Sequence, residues 1–213
     1  MKKLLIILLF IFYCIFSYSQ TIHSYDYIID MNYYKSYYSK SIKAPSFVIY
    51  KLYKGGGDIN RASYSFKGYK DLTYFNYTKS GYDRGHLAPA EDFANSILRL
   101  KSTFYYINCV PQTPNLNRGI WKRYETKIRK LSQSDSLLII CGGCDYPCYD
   151  SGNIKLIPKN CFKIVYDLKT KKCIYSILFS NEGTPSTAKN EDKLKKTITF
   201  TKAKNLYNKK ATY

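Results

Sequence analysis

Only two histidines, His23 and His86, occur in the 213 residues of the chain. His86 closes the run Asp83-Arg84-Gly85-His86, so a guanidinium stands beside an imidazole with a glycine between them. A neutral imidazole with its ordinary pKa near 6.5 can take a proton from water at physiological pH. The arginine offers a planar fork to a phosphate, and the glycine lets that phosphate approach the backbone. Hydrolysis of a phosphodiester needs such a base, an electrophile for the developing charge, and help for the leaving oxygen. A hard cation meets the last two needs. Magnesium, for which Mn2+ can substitute, accepts oxygen ligands and keeps several waters, so the Asn117 carbonyl with phosphate oxygens and waters makes an adequate shell. Glu125, two helical turns beyond Asn117, can orient those waters, while Arg84 and Arg61 can bind the phosphate. Each residue alone has an ordinary reading: an asparagine caps a helix, a helical glutamate pairs on the surface, and an arginine beside an aspartate forms an ion pair. His23 lies too near the expected mature N-terminus to hold a catalytic geometry.

Several elements must position these groups. The β-branched and aromatic run 46–53 reads as a strand, broken by Gly55-Gly56-Gly57, and residues 58–80 read as a long loop with short strand pieces. Residues 103–110 read as an extended strand closed by Pro111, with Phe104, Tyr106 and Asn108 on one face. From Asn117 to Leu131 apolar residues recur at helical spacing, and Asn117, Trp121 and Glu125 fall at i, i+4 and i+8. The runs 136–141, 161–166 and 173–179 read as strands of a central sheet. The lysine-rich tail 181–213 contains a short helix near 190–197 and is expected to fray at its end.

Composition bounds the setting. With 45% hydrophobic residues the chain can bury one substantial core and is short for two. Lys2 and Lys3, the apolar run 4–16 and the small-residue end at 17–20 form the pattern of a secretory signal, too short for a membrane span. We therefore expect a signal peptide at 1–20, one domain at 21–213, a secreted product and no stable membrane association. The formal charge of +19 falls only to +17 without Lys2 and Lys3, since that segment has no acidic residue. So large an excess attracts polyanions, nucleic acid first among them, through counterion release that ignores base sequence. Six cysteines remain after the signal, Cys109, Cys141, Cys144, Cys148, Cys161 and Cys173, and disulfides are the default in an oxidising compartment. A zinc half-site at Cys141-Gly-Gly-Cys144 with Cys148 is the rival reading, but it has no histidine nearby.

The octapeptide Asp83-Arg84-Gly85-His86-Leu87-Ala88-Pro89-Ala90 resembles the signature of the DNA/RNA non-specific endonucleases. A second signature matches in order and spacing: Asn108, Pro111-Gln112, then Asn117, Gly119, Trp121 and Glu125. This resemblance runs from about Phe47 to Phe179 and implies an α+β fold with a ββα-metal nuclease core and a central, mostly antiparallel sheet flanked by helices. It further implies His86 as general base, Asn117 as direct Mg2+ ligand, Glu125 as orienter of metal-bound water and Asn108 as a positioning group near the phosphate. Arg84 would stabilise the transition state, and Arg61, in Asn60-Arg61-Ala62-Ser63-Tyr64, resembles the family's upstream phosphate-binding arginine. DNA and RNA are the implied substrates, with weak sequence preference because every nucleotide offers a phosphate and a stacking face. The cysteines at 141–148 and the segment after Phe179 depart from the family pattern without touching this set. Dimerisation is known among relatives, so a homodimer is compatible with the sequence. A catalytically silent nuclease-like module that only binds nucleic acid is the alternative, opposed by the intact His86, Asn117 and Glu125.

Overall fold

A computed structural model of the protein describes residues 22–147, 156–183 and 186–213. Its strands are β1 (Tyr27–Asp30), β2 (Tyr34–Ser39), β3 (Ala44–Leu52), β4 (Asp83–His86), β5 (Cys109–Gln112), β6 (Leu137–Cys144), β7 (Asn160–Asp167), β8 (Cys173–Ser180) and β9 (Ala188–Asn190). The α-helices are α1 (Ile97–Ser102), α2 (Lys122–Leu131), α3 (Asp192–Thr197) and α4 (Phe200–Asn208). Seven strands pair antiparallel in the order β1-β2-β3-β6-β7-β8-β9, and β4 and β5 form a separate antiparallel ribbon.

The central strands read as near-continuous apolar runs because both faces of the large sheet are covered. All eight residues of β6 are buried. On one face Leu138, Ile140, Phe162 and Ile164 pack beneath Leu194, Ile198 and Ala203 of the C-terminal segment. On the other, Ile139, Cys141, Val165 and Ile177 meet Leu87, Val110, Trp121 and Ile128 from the ribbon and α2. Full burial of each aliphatic side chain contributes roughly 1.5–3 kcal/mol, so the ribbon and helix are held where the sheet offers apolar area. A buried amide completes the attachment: Asn181 donates to the Pro111 and Pro158 carbonyls at 3.0 and 2.8 Å and accepts from the Thr113 N–H at 2.9 Å.

The three strands expected after residue 135 are present, as are the strand near 46–53 and the helix ending at Leu131. Residues 103–110 are not one extended strand. Thr103 caps α1, Tyr106–Asn108 forms a tight turn, and β5 begins only at Cys109. The Asn108 side chain causes this, because its Nδ2 donates to the Thr103 carbonyl at 2.9 Å and draws the chain into a turn. Pro111 lies inside β5, where a two-stranded ribbon tolerates a residue without an N–H. Toward the C-terminus, α4 packs on the sheet, and the Thr212 N–H and Oγ1 bond the backbone of Ile28 at 2.9 and 2.8 Å. The tail is therefore docked rather than frayed.

The expected disulfides are also corrected. Cys109, Cys141, Cys144, Cys161 and Cys173 are free thiols, while Cys148 and the expected signal segment lie outside the described residues. In register, Cys141 faces Lys163, Cys144 faces Asn160 and Cys161 faces Gly143, so no two of them stand opposite each other. Alternation also sends Cys141 and Cys144 to opposite faces of the sheet, which separates the pair that a zinc half-site would need. Among the described residues no helix is long and apolar enough to cross a membrane.

Gly142 shows how closely β3 and β6 approach. A Cβ there would stand 2.2 Å from the Ser46 carbonyl oxygen and 2.9 Å from the Phe47 Cα, both backbone atoms that cannot rotate away. Gly142→Ala is expected to lower the unfolding free energy by at least about 2 kcal/mol, read as a drop in urea midpoint at constant slope. An unchanged midpoint would show that the strands can separate without cost.

Candidate active site

Four residues of β4 set the arrangement. Alternation puts Arg84 and His86 on one side of the ribbon and Asp83 and Gly85 on the other. Gly85 is required by packing, since a Cβ would lie 2.2 Å from the Oε1 of the fully buried Gln112. Beyond β5 the chain passes through wide helical turns at Leu116–Trp121, kinked at Gly119 (φ −100°, ψ −110°), before α2 becomes regular. That kink lets Asn117 face the ribbon while Glu125 enters from the regular helix.

His86, Arg61, Arg84, Asn117 and Glu125 all line one cavity of about 470 Å³. Asn108 does not. It is fully buried, and its amide accepts from the Ala88 N–H at 2.9 Å and donates to the Ala88 and Thr103 carbonyls at 2.8 and 2.9 Å. Its backbone carbonyl also accepts from the Leu87 N–H at 2.9 Å. Asn108 thus clamps the chain immediately after His86 and has no free group for a phosphate.

The imidazole of His86 sits between Phe66, at a ring distance of 4.5 Å, and Phe104, edge-on at 5.0 Å. The Trp121 indole N–H donates to the His86 carbonyl at 3.2 Å, and the His86 Nε2 has no protein partner. Burial, with a smaller push from the Arg61 charge, lowers its pKa to about 3. The ring is therefore neutral throughout the physiological range, as a proton acceptor must be.

Asp83 organises the opposite wall. It accepts from the Asn117 Nδ2 at 2.9 Å and from the Arg118 Nε and Nη2 at 2.8 and 2.7 Å. Burial alone would raise this carboxyl, but the bonds from Arg118 and Asn117 outweigh it and hold the pKa below the usual range. With Nδ2 committed to Asp83, the Asn117 Oδ1 is the atom left to serve as a ligand. The adjacent Arg84 pairs instead with aromatics: its Nε donates to the Tyr106 hydroxyl at 3.3 Å, and its guanidinium lies 5.3 Å from the Tyr77 ring centre.

Glu125 is raised to about 7, chiefly by burial, although the neighbouring Lys163 charge opposes the rise. The Lys163 ammonium stands 4.0 Å from the Glu125 Oε1 and 3.7 Å from the centre of the Trp121 ring, in a side chain only 1% exposed. Cation–π attraction grows when the cation is desolvated, as here. Lys163 was not singled out in the sequence because a single lysine in an apolar strand looks like a solvated residue. Arg118, Lys122 and Glu91 also line the cavity, so four cations face two carboxylates. Glu91 extends the charge pattern through Arg129, at 3.2 Å, to Asp92, which Arg129 holds at 2.8 Å.

The donor set suits a hard cation. Asn117 and Glu125 offer only oxygen, and among the described residues no group of three or more His, Cys, Asp or Glu could form a closed metal cage. A cation here would complete its shell with water and phosphate, which is how magnesium is commonly bound.

A family model described as DNA/RNA non-specific endonuclease matches residues 15–210. The chain is 37% identical over 93 residues to mitochondrial endonuclease G of Bos taurus, covering 41% of this chain and 31% of that protein. Against a nuclease of Nostoc sp. it is 36% identical over 99 residues, covering 46% of this chain and 36% of the other. The match thus spans about a third of the length of these curated relatives. A crystal structure of an EndoG/EndoGI complex aligns with a TM-score of 0.59 at 21% identity, covering 73% of this chain and 74% of that one. This likeness, with the sheet and the β4-β5-α2 unit, establishes an α+β fold with a ββα core.

The two buried titratable groups should oppose each other in pH-dependent stability. The His86 pKa falls from 6.5 to about 3, so the unfolded chain binds the extra proton and stability is lost as pH drops through that window. The Glu125 pKa rises from 4.5 to about 7, so stability is lost as pH climbs through its window. Urea unfolding with a chelator should show this between pH 4.5 and 6.5. Relative to wild type, His86→Gln should lose up to about 1.4 kcal/mol per pH unit on raising the pH, and Glu125→Gln should gain as much. Curves parallel to wild type for both variants would mean that neither group is shifted.

Proposed function

This chain belongs to the DNA/RNA non-specific endonuclease family, and we propose that it hydrolyses phosphodiester bonds of DNA and RNA with His86 as general base and one Mg2+ at Asn117. A single juxtaposition carries the proposal: a neutral, unpartnered imidazole and an amide whose nitrogen is fixed by Asp83 line the same cationic cavity. In this scheme the His86 Nε2 accepts a proton from the attacking water once Phe66, now packed against the ring, gives way. Arg84 and Arg61 bind and orient the phosphate, and Arg84 is aimed by the Tyr106 hydroxyl. Asn117 would hold the cation directly and Glu125 through its solvent. When bound, the cation supplies charge stabilisation for the phosphate and the leaving oxygen, and Mn2+ can replace it. Arg118 and Lys122 add positive potential that attracts any nucleic acid backbone regardless of sequence. Export is part of the proposal, supported by the basic and apolar pattern of residues 2–16.

Plasmid DNA and RNA incubated with the protein and Mg2+ should both be degraded, and a chelator should stop it. His86→Ala should lower kcat by about 10²- to 10⁴-fold, the usual contribution of a general base. If folded wild type binds both substrates but cleaves neither with Mg2+ or Mn2+, the chain is a silent binding module instead. Asp83→Asn tests the support of Asn117. It should weaken cation affinity by about 10- to 100-fold in calorimetric titration while the fold stays intact, and unaltered affinity would remove Asp83 from the site.

A further inference from the structure

The nuclease cavity does not account for a column of tyrosines beside it. Tyr74 stacks on Tyr106 at a ring distance of 4.0 Å and an interplanar angle of 11°, and Tyr106 in turn lies 5.7 Å and 15° from Tyr77. Tyr77 is buried, whereas Tyr74 is 43% exposed. Arg84 joins this column to the cavity, because it lines the cavity and also lies 5.3 and 6.0 Å from the Tyr77 and Tyr106 ring centres. Backbone bonds tie the segment before Tyr74 to the turn that carries Tyr106: the Lys67 N–H donates to the Phe104 carbonyl at 3.1 Å, and the Tyr106 N–H donates to the Lys67 carbonyl at 3.0 Å.

We propose that the exposed ring of Tyr74 is a nucleobase subsite, on which an unpaired base of single-stranded DNA or RNA stacks while its backbone phosphate reaches Arg84. This rests on the endonuclease reading and extends it to a substrate class. One ring face is already occupied in near-parallel stacking, so the ring's orientation is fixed before a ligand arrives, and tyrosine gives up little freedom when it binds. A base on the outer face would continue the column by one layer. Stacking needs a π-face and no hydrogen-bond pattern, so all four bases should be accepted. Within a duplex the base faces are already covered by their neighbours, so the subsite favours unpaired over paired strands.

The test uses the full chain with a labelled single-stranded oligonucleotide and the same sequence as a blunt duplex. Tyr74→Ala should raise KM for the single strand about tenfold, with kcat within about twofold and a much smaller change for the duplex, and Tyr74→Phe should restore wild-type values. Tyr53→Ala, which removes a more exposed ring (56%) outside the column, is the control. Anisotropy titration of the single strand in chelator reads the subsite without turnover and should show the same tenfold loss for Tyr74→Ala alone. Unchanged single-strand affinity, or equal losses on both substrates, overturns the proposal. Intact substrates with wild type would sink the endonuclease reading instead, and the titration would still decide the subsite.

Discussion

A carboxylate largely withdrawn from solvent in a cavity wall is held by a cation beside it, and Lys163, 4.0 Å from Glu125, meets this constraint. Removing Glu125 would strand the Lys163 ammonium, 1% exposed, in a medium where desolvation costs several kcal/mol. In the middle of β7 the Lys163 ammonium has a second partner besides Glu125, the Trp121 ring that lies over it. The same indole donates its N–H to the His86 carbonyl. One aromatic residue therefore ties the sheet, the helix and the strand that bears the base, and the positions of Glu125 and His86 follow from its placement.

Desolvation acts on the two buried groups in opposite senses. It keeps the imidazole neutral, which prepares it to accept a proton, and it pushes the glutamate toward its protonated form, which a cation would reverse. Lys163 on the sheet side partly counters the second effect. Farther out, Asp92 is buried between Arg129 and the Tyr50 hydroxyl, and Arg129 also reaches Glu91, whose other oxygen lies 3.8 Å from Arg61. A run of paired charges thus leads from the interior to the exposed arginine at the cavity rim. Its outermost link is long and solvated and contributes little to stability.

The strands of the large sheet were legible because runs such as Leu137–Cys144 are apolar on both faces and bounded by turn residues. The tyrosine-rich strands Tyr27–Asp30 and Tyr34–Ser39 were not, since their rings also suit loops and their burial depends on partners far along the chain. Of the site residues read from the two signatures, His86, Arg84, Arg61, Asn117 and Glu125 converge on one cavity. Asn108 was placed near the phosphate, but its amide is spent on backbone groups, which residue type and spacing could not reveal. The ordinary alternative for Arg84, an ion pair with its sequence neighbour Asp83, does not form, because Asp83 binds Arg118 and Asn117 across the ribbon. The disulfide expectation failed for a related reason. Compartment says whether thiols can pair, and only strand register says whether they meet.

The diversion of Asp83 away from Arg84 also shapes the chemistry. Had the two neighbours paired, the guanidinium would have been neutralised by a carboxylate and less available to a phosphate. Alternation along β4 sends them to opposite sides, so Asp83 spends its charge on fixing the cation ligand and Arg84 is steadied by uncharged rings. An arginine held by tyrosines keeps its full charge for an anion while losing some of its freedom to wander. Period-two geometry in a four-residue strand thereby separates the two tasks that adjacent charges would otherwise cancel.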